Sequence, residues 1–357
     1  MNPHPPRIVF VGAGAIGGYA GALMRRAGHD VTLIDAWPEH VETVRARGLS
    51  IDGMTPAESV TVDVPILHVC DVQQLARERP VDIAFIAVKS YDTEWAAHLI
   101  RPYLATGGFC VSLQNSINEE RLASVVGWGR TLGCAVSLLA AELDRPGHVQ
   151  RNIPMGGEQH TVYRVGEAHG RITPRAEQVA ALLRAADSAK VTPNLWGERW
   201  SKLIINVMRN GLSAATGMTG NERDLARPTR RISIALGAEA VRVGQALGYA
   251  IMGQQGLEPE TLARAGEGST DALAEIEDVL IRLAQHRGGE QRPSMGQDMR
   301  KGRRTEIDYL NGLIVTEGAK VGVAAPVNAR LVELVRRVER GEVAPSPDRV
   351  ADWKVLE

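Results

Sequence analysis

The sequence predicts an α/β chain of two domains: an open, mostly parallel sheet flanked by helices, then an all-helical domain. Three observations carry this. The 357 residues suit two domains at roughly 150 residues each. In the first half, short apolar runs alternate with helix-patterned stretches, the signature of strand–helix–strand repetition. In the second half the strand runs stop and only helical patterns remain.

Taken in order, residues 8–12 form a β-branched run ending in glycine, which reads as a strand. Residues 15–28 place Ile16, Ala20, Leu23 and Ala27 on one helical face, with Gly28 as the stop. Residues 31–35, 81–88 and 109–113 are continuous apolar strands, as suits a sheet covered on both faces. Residues 131–166 look strand-like, with a turn at Pro146-Gly147. A helix over 174–187 and a short strand near Val191 complete a domain of residues 1–193. Residues 194–340 then carry helices over 198–215, 229–247, 271–285, 305–321 and 327–340. Segments 252–268 and 286–293 look irregular, and 341–357 reads as a loosely attached tail.

Composition narrows the function. Lys+Arg 41 against Asp+Glu 42 gives a net charge of −1, which excludes a generally basic nucleic-acid binder. Aromatics at 4% argue against base-stacking platforms. Cys70, Cys110 and Cys134 form no C-x-x-C pair and read as small buried hydrophobes of a reducing compartment. The N-terminus lacks a signal-peptide layout and no apolar run is long enough to span a membrane, so a cytoplasmic protein is expected. The nine histidines form no ligand-spaced cluster, so no metal is implied. The apolar segment 331–338 could pair two chains in a homodimer, although a monomer core explains it equally.

The turn Gly12-Ala13-Gly14-Ala15-Ile16-Gly17 sits between the first strand and the first helix. In that context Gly12 permits a tight turn, Gly14 admits a pyrophosphate, and Gly17 lets helix pack on strand, as in a Rossmann-type dinucleotide site. Asp35 ends the second strand, where a carboxylate accepts from the ribose hydroxyls of NAD(H) and repels the 2′-phosphate of NADP(H). A helix-capping Asp is the other reading of that residue.

In the second half, Lys202, Asn206 and Asn210 recur at i, i+4 and i+8, stacking along one helix face. Such a ridge is either a solvated face or a row of donors matched to a carboxylate and an oxygenated carbon. A second polar block runs Ser294-Met295-Gly296-Gln297-Asp298 and then Thr305-Glu306-Ile307-Asp308, with Glu306 expected in the first turn of a helix.

These pieces together resemble the ketopantoate reductase family. The matching segments are VFVGAGAIGGYAGALMRRAGHDVTLID, AVKSYDT, SLQNSINEE, ERWSKLIINVMRNGLSAATG, SMGQDMRKGRRTEIDYLNG and APVN, over nearly the whole chain. The resemblance implies a Rossmann-type domain, a helical domain and an active site in the cleft between them. It implies Lys202 as proton donor, Asn206, Asn210 and Ser294 as substrate ligands, and Glu306 as an aid to the lysine or the cofactor. It further implies Asn115 beside the nicotinamide and Lys89 on the cofactor. The expected activity is hydride transfer between NAD(P) and C2 of a 2-oxo or 2-hydroxy acid, with 2-dehydropantoate foremost. The alternatives are an NAD-dependent dehydrogenase of another hydroxy acid in a catabolic route and a non-catalytic dinucleotide sensor. The chain departs from the family pattern in three places. It has Asp35-Ala36 where a basic residue is usual, Ser116 where glycine is usual, and extra sequence over 252–293.

Overall fold

A computed structural model of the protein describes residues 4–287 and 291–356. The chain forms two compact units, Met1–Leu195 and Trp196–Glu357. The strands of the first are β1 Arg7–Val11, β2 Asp30–Asp35, β3 Leu49–Asp52, β4 Val60–Val62, β5 Ile66–His68 and β6 Val81–Ile86. They continue with β7 Leu104–Ser112, β8 Thr131–Val136, β9 Ala141–Arg145, β10 His148–Arg151, β11 Tyr163–Gly166 and β12 Ala189–Val191. Its helices are α1 Ala15–Arg26, α2 Pro38–Arg47, α3 Thr93–Ile100, α4 Glu119–Val126 and α5 Pro174–Leu183.

The main sheet has the order β12-β11-β8-β7-β6-β1-β2-β5. It is parallel from β8 to β5, and β11 runs antiparallel to β8. The apolar strands are continuous because successive side chains supply two cores. Ile8 and Phe10 join Val31, Leu33, Ile83 and Phe85 under α1 and α5. Val9 and Val11 join Ala84, Ile86 and Cys110 under α3 and α4. A second sheet, β4-β3-β10-β9, covers part of the first core through Leu49, Ile51, Val62 and Val149. The periodicity does not foretell it. Its strands have three to five residues, and β3 pairs in parallel with β10 far along the chain.

The second unit comprises α6 Leu195–Thr216, α7 Gly220–Leu225, α8 Arg227–Ala246, α9 Pro259–Gly266, α10 Thr270–His286, α11 Ser294–Arg300, α12 Asn311–Val321 and α13 Pro326–Glu339. Helix α6 is enclosed. The Trp200 indole donates to Ala240 O at 2.8 Å and lies against Gly244, where a Cβ would fall 2.1 Å from it. Ser233 Oγ donates to Met208 O at 2.8 Å, and Asn311 Nδ2 donates to Val207 O at 3.1 Å. Asn311 also donates to Asn328 Oδ1 at 2.8 Å, and Asn328 to Glu239 at 2.7 Å, which ties α12, α13 and α8 to α6. Leu331, Val335 and Val338 are buried in this unit.

Four expectations change. Residues 252–268 are not irregular throughout, since α9 lies within them with Leu262, Ala263 and Ala265 buried. The helix expected over 305–321 begins at Asn311, after a short 3₁₀ turn at Ile307–Tyr309, because Asn311 is drawn into the polar network beneath α6. Cys70 is exposed rather than buried. Residues 341–356 are not loosely attached. Val350 and Trp353 are buried, Arg330 stacks 4.4 Å from the Trp353 ring, and Ser346 N–H donates to Ala215 O. Gly288 and Gly289, part of the segment expected to be irregular, lie outside the described residues.

Candidate active site

The glycine turn is built by exclusion. Gly12 has φ +100°, and a Cβ there would meet Ala87 and Val88 backbone atoms at 2.8–2.9 Å. A Cβ on Gly17 would lie 2.1 Å from Gly12 O and 2.8 Å from Ala87 Cβ. Gly14 differs: beyond its chain neighbours and its own helix, no atom of the described residues lies within 4 Å of a Cβ built there. Two glycines are therefore spent on close packing of strand, turn and helix, and the third opens a cradle. No side chain caps α1. The N–H groups of Ala15, Ile16 and Gly17 lack i−4 partners within the helix, which gives this end its positive dipole pole. A pyrophosphate fits that arrangement.

Both polar backbone atoms of Ala13 are held by side chains. Asp35 Oδ2 accepts from Ala13 N–H at 2.8 Å, and His40 Nε2 bonds Ala13 O at 3.1 Å. The other Asp35 oxygen accepts from Trp37 N–H at 2.9 Å. Asp35 thus braces the glycine turn, and Trp37, not Asp35, is the N-cap of α2. Each carboxylate oxygen can accept a further bond. Arg45, the first arginine after Asp35, is engaged with Ile66 O, Glu42 and Asp71.

Further along the sheet's carboxyl edge, the ends of β6 and β7 are cross-tied. Gln114 Nε2 donates to Val88 O at 3.0 Å and to Thr93 Oγ1 at 2.9 Å. Asn118 Nδ2 donates to Asn115 O at 2.8 Å. Lys89 and Asn115, both partly exposed, sit on the loops held this way. Ser116 has φ +65°, the left-handed region that glycine takes without penalty.

In the second unit the ridge on α6 is no solvated face, because Asn206 and Asn210 are 7% and 5% exposed. Desolvation, reinforced by the Arg209 charge, brings the Lys202 ammonium down to about 8. Among the described residues, Arg209 is the charge that bears on Lys202. Glu306 is 3% exposed. Glu306 precedes the 3₁₀ turn instead of lying in a helical first turn, and its carbonyl accepts from Tyr309 and Leu310 N–H. Ser294 opens α11, which packs on α6 so closely that a Cβ on Gly296 would lie 2.4 Å from Ser213 Oγ.

Arg209 escaped the sequence reading. Its spacing of seven residues from Lys202 puts it on the same helix face, and that was the available signal. Its Nε and Nη2 atoms are sealed from solvent without an acceptor.

A family model described as Ketopantoate reductase PanE/ApbA matches residues 8–163, and the corresponding C-terminal model matches residues 194–339. The 2-dehydropantoate 2-reductase of Archaeoglobus fulgidus is 32% identical over 337 residues, covering 94% of this chain and 98% of that one. A crystal structure of a PanE/ApbA family ketopantoate reductase from Ralstonia eutropha JMP134 superposes with a TM-score of 0.75 at 29% identity, covering 94% and 99% of the two chains. D-mandelate dehydrogenase in a ternary structure with NADH and anilino(oxo)acetate has the same fold, with a TM-score of 0.76 at 24% identity over 94% and 99%. Among the described residues no helix is long and apolar enough to cross a membrane.

Proposed function

The chain belongs to the ketopantoate reductase family of NAD(P)-dependent oxidoreductases, and we propose that it interconverts a 2-oxo acid and its 2-hydroxy acid, 2-dehydropantoate and pantoate first among them. The observation that carries this reading is Lys202, a partly exposed residue whose ammonium desolvation brings down to about 8, on a helix that also buries two asparagines. A proton donor works best when its pKa lies near the operating pH.

The nicotinamide, when bound, supplies or takes up the hydride. The chain's own residues do the rest. The cradle at Gly14 and the N-terminus of α1 hold the pyrophosphate, and Lys89 and Asn115 flank the nicotinamide end. Asn206, Asn210 and Ser294 orient the acid. Lys202 protonates the oxygen at C2 as it gains charge, and in the reverse direction takes that proton back. Glu306 assists the lysine or the cofactor.

Asp35 supports a preference for NAD(H). Ala36 follows it, and Arg45 is committed to Asp71 and Glu42. The same observation favours a second reading, an NAD-dependent dehydrogenase of a different hydroxy acid. A panel of 2-oxo and 2-hydroxy acids assayed separately with NAD(H) and NADP(H) tests both. Efficient reduction of 2-dehydropantoate supports the first reading. Turnover confined to another hydroxy acid with NAD supports the second. No turnover of any member by the folded protein overturns both.

A further inference from the structure

Two guanidinium groups in the second unit share one carboxylate, and the charge of a third, Arg209, acts beside them. Arg223, 1% exposed, places Nε and Nη2 at 2.7 and 2.6 Å from Asp224 Oδ1. Arg287 Nη1 lies 3.0 Å from Asp224 Oδ2 and also donates to Asn221 Oδ1 at 3.4 Å. Asp224 is fully buried, and both of its oxygens are used. The Arg209 side chain is partly exposed, but its Nε and Nη2 are sealed from solvent and meet no acceptor among the described residues, nor does Nη1 of Arg223. Buried charges are ordinarily paired, because an uncompensated one is costly to desolvate. A surplus of positive charge partly withdrawn from water, with donors that meet no acceptor among the described residues, is the arrangement that an arriving anion completes.

The cluster has a direction. Arg223 and Arg287 are held by Asp224 of α7, which follows the C-terminal end of α6, whereas Lys202 lies seven residues before Arg209 on α6. The positive charge therefore lies on the side of Arg209 away from Lys202. Seven residues of α-helix separate Lys202 from Arg209 by about 10 Å along one face. An anion seated at the cluster is thus a different group from the one that reacts beside Lys202.

We propose that Arg209, backed by Arg223 and Arg287, forms an anion subsite for a second, distal carboxylate of the substrate. This favours the second reading above, with a 2-oxo acid carrying an acidic group at its far end preferred to 2-dehydropantoate, whose far end is a neutral hydroxymethyl group. This rests on the oxidoreductase reading, with Lys202 at the reacting oxygen. The planar fork of arginine suits a carboxylate in two-point contact, which lysine cannot reproduce.

The test compares 2-oxoglutarate and 2-oxoadipate with 2-oxopentanoate and 2-oxohexanoate, which have similar chain lengths and end in methyl. The ratio of kcat/KM for acidic over methyl-ended acids is measured in the wild type, in Arg209→Met and in Arg209→Lys. The wild-type ratio is expected to be at least about tenfold, as the worth of hydrogen bonds to a charged group implies. It collapses toward unity in Arg209→Met, mainly through KM, and falls part-way in Arg209→Lys. Arg209→Met is also expected to melt no lower than the wild type, because it removes one of three like charges around a single carboxylate. An arginine with a merely structural role predicts a lower melting temperature and an unchanged ratio. Should Arg209→Met fail to fold, Arg209→Lys still reads the ratio. Equal turnover of acidic and methyl-ended acids by the wild type, or a ratio that neither variant changes, overturns the subsite. Absence of turnover of every 2-oxo acid overturns the oxidoreductase reading instead.

Discussion

Replacing Gly14 and Gly17 separately by alanine divides the glycine turn into its two duties. At Gly14 the backbone is extended (φ −67°, ψ −165°), and an added Cβ meets nothing within 4 Å. Alanine stabilises such a site by about 0.4–1 kcal/mol through the unfolded chain. It forfeits about 0.5–1 kcal/mol as a poorer N-cap. The two offset one another to within about 0.5 kcal/mol. For a unit of this size that moves Tm by less than about 2 °C. At Gly17 the Cβ would sit 2.1 Å from Gly12 O and 2.8 Å from Ala87 Cβ. Strand, turn and helix must then separate by roughly 1 Å. The cost lies at the upper end of overpacking, about 3 kcal/mol, and lowers Tm by roughly 6–12 °C. Cofactor binding, followed by nicotinamide fluorescence, shows the opposite order of specificity. Gly14→Ala fills the space a pyrophosphate needs and loses at least about tenfold in affinity, the worth of one charged hydrogen bond, with its fold intact. Scanning calorimetry and titration of the same preparations check both halves. A Gly14→Ala protein that binds cofactor as the wild type does refutes the cradle. One that melts as early as Gly17→Ala refutes the packing argument.

Three further outcomes are expected. Lys202→Met lowers turnover by about a hundredfold or more, as loss of a positioned general acid does. In the wild type, kcat/KM for reduction holds below a pH of about 8 and falls above it as the ammonium deprotonates; a profile flat across that range removes Lys202 from the proton transfer. Asp35→Ala combined with Ala36→Arg shifts the ratio of specificity constants toward NADP(H) by about tenfold or more. Because Asp35 also holds Ala13 N–H, the double variant weakens NAD(H) binding as well, and an unchanged ratio would mean that Asp35 does no more than brace the turn. Trp353→Ala, which empties a buried site and frees Arg330 from its stacking partner, costs about 3–5 kcal/mol; denaturant titration giving less than 1 kcal/mol would return the C-terminal segment to a loose tail.

The glycine turn was legible in the sequence because its constraints are local. Strand end, tight turn and helix start are covalent neighbours, and only glycine fits two of the three places. The continuous apolar strands announced a sheet covered on both faces for the same reason: alternate side chains of one strand feed two cores. The spacing of Lys202, Asn206 and Asn210 gave a shared helix face, but periodicity alone cannot say whether a polar face meets water or is enclosed. The 7% and 5% exposures of Asn206 and Asn210 settled that.

Other features depend on partners remote in sequence. The second sheet exists because β3 pairs with β10 across about a hundred residues, and strands of three to five residues carry too little pattern to be seen before pairing. The helix expected from Thr305 starts later because Asn311 bonds a carbonyl of α6 and the amide of Asn328. The role of Asp35 changed because one carboxylate can serve a ribose, a helix end or a neighbouring turn, and only proximity to Ala13 N–H selects among them. Arg209, Arg223 and Arg287 are unremarkable in the linear chain, and Arg287, just after α10, is far from α6 in sequence. Charge acts through space, so their surplus around Asp224 arises only when the fold brings α6, α7 and the end of α10 together.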